Sequence, residues 1–111
     1  MTLGLLPSAV GFLRSDISGT RREHDERQIE RTARLKGYDL RKTVVFSENT
    51  IRKNYRLRIA LSRAGVDTVI VPSLEHFDGQ VPAEVVAVAD IVTISPENTY
   101  ARTGDPSEAA Q

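Results

Sequence analysis

The side chains of this chain best suited to chemistry fall in three short stretches. The first is Gly11-Phe12-Leu13-Arg14-Ser15-Asp16, with Ser18 just beyond it. It offers a guanidinium, two hydroxyls and a carboxylate in close succession. A guanidinium pairs two at a time with carboxylate or phosphate oxygens, and a serine hydroxyl attacks only when a neighbour activates it. Read as a strand, the stretch puts Phe12, Arg14 and Asp16 on one face, because residues i, i+2 and i+4 share a face. Ser15 then points the other way unless a bulge intervenes. Arg14 is either an anion-binding cation or one half of a salt bridge to Asp16 or Glu75 that ties strand ends together.

The second stretch is Leu74-Glu75-His76-Phe77-Asp78-Gly79. His76 is read either as a general base or ligand, or as a surface histidine with neither role. The third is basic: Arg52, Lys53, Arg56, Arg58 and Arg63 occur with no acid between Thr50 and Val66. Such a run can meet phosphates, with Arg52, Lys53, Arg56 and Arg58 as the DNA-binding candidates. Equally, it can be a solvated helix face with Glu23, Asp25, Glu26 and Glu30 as counter-charges. His24 lies among those charges and reads as solvated.

Other chemistry is scarce. Neither GxGxxG nor GxxxxGK occurs, so no nucleotide cofactor is expected. Two histidines and no cysteine leave no convincing metal set, and they exclude disulfides and thiolate catalysis. No Ser-His-Asp set stands out.

The elements that must position these residues alternate. Ala9 to Asp16 reads as a strand, and Ser18-Gly19 as a loop. Thr20-Arg21-Arg22-Glu23 fits a capping box at the start of a helix over Arg21 to Lys36. Gly37 suits its C-terminal turn, with Tyr38 folding back. Thr43 to Phe46 is a β-branched and aromatic strand, and Ser47 to Lys53 a loop. A helix from Tyr55 to Ala64 shows Leu57, Ala60, Leu61 and Ala64 on one face. Asp67 to Pro72 reads as a strand buried on both faces, and Ser73 to Gln80 as a loop. Pro82 to Ala89 is a short helix, and Asp90 to Ser95 a fourth strand. The order β-α-β-α-β-α-β predicts an α/β fold: a four-stranded, mostly parallel sheet in three α/β/α layers, its functional crevice at the carboxyl ends of the strands.

These stretches, in this order, resemble the catalytic domain of the serine site-specific recombinases, the resolvases and invertases. That family opens with Gly-Tyr-x-Arg-x-Ser. A helix carrying Arg-Gln and ending Gly-Tyr-x-Leu follows, and a later strand leads into Asp-Arg-Leu-x-Arg. Here Gly11-Phe12-Leu13-Arg14, Arg27-Gln28, Gly37-Tyr38-Asp39-Leu40, Arg52 before its helix and Val69-Ile70-Val71 before Leu74 match in sequence, over about residues 9 to 95. The resemblance implies a resolvase-like fold and DNA strand exchange through a serine nucleophile. It also shows departures. Asp16 stands at the nucleophile's position, leaving Ser15 or Ser18 as the only substitutes. Glu75 keeps the acid of the second motif, but His76 and Gly79 replace its two arginines, and Asp78 adds a negative charge. A phosphodiester under attack needs clustered cations, and Asp16, Glu75 and Asp78 around Arg14 and Arg52 repel it. In the family a dimerisation helix and a DNA-binding segment follow; the chain ends before both, which reads as truncation.

The totals agree with a single domain. The chain has 111 residues, 40% of them hydrophobic, with no tryptophan. Fifteen basic and fifteen acidic residues balance, which weakens DNA as a partner without removing a local basic face. No apolar run approaches the roughly 20 residues of a bilayer span, and Met1 to Ser8 lacks the basic start of a signal peptide. A cytoplasmic protein with no membrane partner is expected. Residues 1–8 read as an extension, 9–102 as the domain and 103–111 as a disordered tail. Three functions follow. One is a non-cleaving, recombinase-related module that binds a protein, a homodimer included, or associates with DNA. Another is an active recombinase, or a fragment of one. The last is an unrelated α/β module with a ligand at the strand ends.

Overall fold

The first strand, β1, is Ser8–Arg14, and its six residues after Ser8 are all buried. A strand buried on both faces belongs in the middle of a parallel sheet, and the computed structural model, which describes residues 6–104, places it there. β2 (Asp39–Phe46), β3 (Thr68–Val71), β4 (Asp90–Thr93) and β5 (Asn98–Tyr100) complete a sheet ordered β2-β1-β3-β4-β5. The first four strands are parallel, and β5 returns antiparallel to β4. The four-stranded expectation is thus corrected to five. β5 has three polar or half-buried residues, too short to leave a periodic signal.

The pleat sorts the core into two layers. Val10 and Phe12 of β1, with Val69, Val71 and Ile91, pack on one side against Leu57 and Leu61 of α3 (Lys53–Ala64) and Val85 of α4 (Ala83–Val86). Ala9 and Leu13, with Ile70 and Val92, pack on the other against Ile29 and Ala33 of α2 (Arg22–Lys36). Helices on both faces make the three-layer α/β/α fold. α2 lies close on β1: a Cβ at Gly11 would sit 2.7 Å from Ile29 Cγ2 and 2.8 Å from Thr43 Oγ1, so only glycine fits.

Several boundaries move, each for a local reason. β1 ends at Arg14, and Ser15–Ser18 forms a short helical turn, α1, instead of carrying the strand to Asp16. Thr20 lies in a 3₁₀ turn (Gly19–Arg21), and α2 starts at Arg22 without a side-chain cap, so the capping box does not form. β2 begins four residues before the expected Thr43; as an edge strand it tolerates the exposed Asp39, Arg41 and Lys42. The expected loop before Pro82 contains a 3₁₀ turn at Leu74–Phe77, and regular helix after Pro82 stops at Val86. Gly37 and Gly65 end α2 and α3 with φ of 80° and 67°, and the Tyr38 amide folds back to the Ala33 carbonyl at 2.8 Å.

The expected extension and tail fall partly outside the described residues, at 1–5 and 105–111. Of what is described, the Pro7 carbonyl accepts from the Asp39 amide and the Thr103 amide donates to the Val86 carbonyl. No helix among the described residues is long and apolar enough to cross a membrane.

Candidate functional site

The aromatic residues build the site's frame. Phe77, in the 3₁₀ turn after β3, stacks on Phe12 of β1 with ring centres 5.0 Å apart, and Phe46 of β2 meets Phe12 edge-on at 5.6 Å. Such aromatic contacts fix relative placement as well as burying area. They draw the turn across the end of β1, where His76 Nδ1 accepts the Arg14 amide at 2.9 Å. His76 is buried, which corrects the surface reading. Burial is the main force holding its imidazolium below the ordinary range, with Arg14 acting in the same direction and Asp25, Glu75 and Asp16 opposing. An Nδ1 that accepts a hydrogen bond carries no proton, so the ring here is neutral.

Arg14 itself is buried, and carboxylates hold its guanidinium from two directions. Asp16 takes Nη2 at 2.7 Å and Nε at 3.3 Å, while Asp78 takes Nη1 at 2.6 Å. The forked geometry with Asp16 is the strong form of the interaction. The hydrogen bond from Arg14 is the chief reason the Asp16 carboxyl lies below its usual range, and Lys53 adds to it. Arg14 is correspondingly raised, first by Asp16 and then, against its own burial, by Asp78. Of the two salt-bridge partners expected for Arg14, Asp16 is present, placed by the helical turn and not by the strand. The second partner of Arg14 is Asp78 and not Glu75.

The turn beyond His76 explains how Asp78 arrives there. Asp78 adopts a left-handed φ of 58°, which aspartate tolerates better than most residues, and Gly79 follows at 85°. The Asp78 and Gly79 amides close the turn on the Glu75 and Leu74 carbonyls at 3.0 and 2.8 Å. Ser73 caps its start, accepting from the Glu75 amide at 3.3 Å.

Arg14, His76 and Asp78 line a depression of about 260 Å³ together with Arg52 and Lys53. The structure therefore brings together the first cation, the residues of the second motif and the start of the basic run. Arg52 caps α3 in a left-handed conformation (φ 53°) and lies over the Tyr55 ring at 4.2 Å.

The two serines part company. Ser18 is buried, and its hydroxyl donates to the Asp25 carboxylate at 2.6 Å. Both line a separate cleft of about 430 Å³ at the ends of β1, β3 and β4, with Arg21, His24, Glu75 and His76. Ser15 is half-buried at the start of α1 and lines neither depression. Asp25 was missed as a site residue because it was grouped with the solvated acids of α2. Its spacing gives it away: 25, 29 and 33 form one i, i+4, i+8 stripe, and all three are buried.

The rest of the basic run divides. Arg56 and Arg63 line a third depression, a groove of about 610 Å³ beside β2. Arg58, two positions from Arg56, is half-buried and does not line it. No protein-family model matches this chain, and neither a curated protein nor a solved structure is significantly similar to it.

Proposed function

We propose that this chain is a resolvase-like domain, related to the serine site-specific recombinases, that does not cleave DNA. It acts in the cytoplasm as an accessory module through contact with a protein or with DNA. One observation carries the reading: the Arg14 guanidinium is pinned between Asp16 and Asp78. Strand transfer needs positive charge aimed at a phosphate whose negative charge grows in the transition state. Here the buried cation is already neutralised, and a phosphate would face two carboxylates. Ser18 is buried, and its hydroxyl is committed to a carboxylate.

The test is incubation with supercoiled DNA followed by a denaturing gel. No covalent protein–DNA adduct is expected. An adduct that disappears in Ser15→Ala or Ser18→Ala would overturn the proposal and make the chain an active recombinase. A second reading, a small-molecule module unrelated to recombinases, draws support from the polar cleft holding Ser18, Asp25 and His76 at the strand ends.

A further inference from the structure

The groove beside β2 differs from the two depressions at the strand ends in having an apolar floor and cations without acids. Lys42, Val44 and Phe46 alternate along one face of β2, the sheet's edge strand. On α3, Tyr55, Arg56, Ile59 and Arg63 recur at helical spacing and face the same groove. This stripe is distinct from the buried Leu57 and Leu61 of the same helix. Ile51 and Tyr55 at its end are 68% and 41% exposed, two of the few large apolar side chains so placed among the described residues.

The charge is one-sided. Lys42, Arg52, Arg56 and Arg63 line the groove, and no aspartate or glutamate does. None of the four makes an ion pair among the described residues.

We propose that this groove docks an acidic peptide segment of another protein, one that carries aliphatic or aromatic anchors between its carboxylates. The inference rests on the reading of the chain as a non-cleaving interaction module and names its partner's chemistry. Carboxylates would meet the rim cations, and the anchors would cover Val44, Phe46, Ile51 and Ile59. A nucleic-acid backbone would satisfy the cations but leave that floor wet. Its bases would find Tyr55 as the groove's one exposed ring, already covered by Arg52 at 4.2 Å. A second copy docked groove to groove about a two-fold axis would set like charges against each other.

The experiment titrates the full chain, labelled for NMR, with four probes. These are a twelve-residue peptide alternating Glu with Leu and Phe, a twelve-residue poly-Glu, the same alternating peptide with Lys for Glu, and a twelve-nucleotide oligothymidylate. The alternating acidic peptide is expected to bind, to shift the amides of β2 and α3, and to weaken as salt rises. Arg56→Glu with Arg63→Glu should weaken it about tenfold or more, and Ile51→Ser should weaken it several-fold. All three positions are exposed, and an unchanged amide spectrum of the free variants shows that the fold is kept.

The proposal is overturned if the acidic peptide shifts no groove amide, or if poly-Glu or oligothymidylate binds as tightly. It is overturned equally if the Lys peptide binds as well, or if groove amides shift with protein concentration alone, which makes the occupant a second copy. A covalent DNA adduct in the gel assay would instead sink the non-cleaving reading and leave peptide binding as measured.

Discussion

Arginines occupy two neighbouring regions of this molecule and meet opposite fates. At the end of β1, Arg14 is buried and claimed by Asp16 and Asp78. Beside β2, Arg56 and Arg63 are exposed with no carboxylate on the groove they line. A formal net charge of zero hides this division. The difference teaches that the capacity of a cation to recruit a partner depends on what the fold has already given it. The first region spends its charge on internal structure, and the second keeps it available.

Substitution should break the comparison most visibly at Arg14. Arg14→Met keeps the apolar stem but leaves Asp16 beside an empty cationic position. Removing one partner of a buried pair is costly, and the high exposure of the Asp78 carboxylate tempers the loss. We expect about 2–3 kcal/mol by urea denaturation. A loss under 1 kcal/mol would mean that Arg14 is no more structural than the groove arginines.

His76→Ala should cost about 2 kcal/mol, since it strands a buried backbone amide and opens a cavity. The same residue sets a pH dependence. Its folded pKa lies below the ordinary 6.5, so the unfolded chain binds the proton more readily. The stability linked to His76 is therefore complete above about pH 6.5 and declines as pH falls below that value. The slope is at most about 1.4 kcal/mol per pH unit for one proton. Denaturation curves between pH 7.5 and 5 should show the decline in the wild type and lose it in His76→Gln.

Neutralising the clamp should make the two regions alike. Asp16→Asn with Asp78→Asn should cost about 1–2 kcal/mol, because the amides still accept from arginine but leave its buried charge without a counter-ion. Inorganic phosphate should then shift the Arg14 Nε resonance, which it leaves unmoved in the wild type. The smallest effect belongs to the groove: Arg56→Ala and Arg63→Ala should each change stability by no more than about 0.5 kcal/mol. Larger losses there would show that the groove cations are structural after all.

Much of the fold was legible because its central elements carry strong patterns. Val69-Ile70-Val71, the Leu57 and Leu61 face of α3 and the two helix-ending glycines all act as their types suggest. β5 was not, because three residues carry no period and its pairing depends on a turn back onto β4. The Arg14–Asp16 pair was one of the alternatives open for Arg14, and it forms although the chain leaves the strand after Arg14. His76 was misread because its burial comes from Phe77 stacking on Phe12, 65 positions away, a contact no local window reveals. Asp25 was readable from its spacing with Ile29 and Ala33, and was lost by counting charges before positions. Asp78's choice of Arg14 depends on a left-handed backbone that the Asp-Gly sequence permits but does not dictate.

That left-handed pair has a consequence for anyone trying to install a further cation on the turn after β3. Asp78 and Gly79 run in succession at φ of 58° and 85°, a path that a side chain with a Cβ follows only at a cost of roughly 1–2 kcal/mol per residue. An arginine installed at position 79 would thus oppose the route of the main chain, even though open space surrounds it. Rebuilding an anion cradle here would mean redesigning the corner itself, so the arrangement works as a ratchet: side chains can be exchanged one at a time, but the backbone beneath them holds the site where it is.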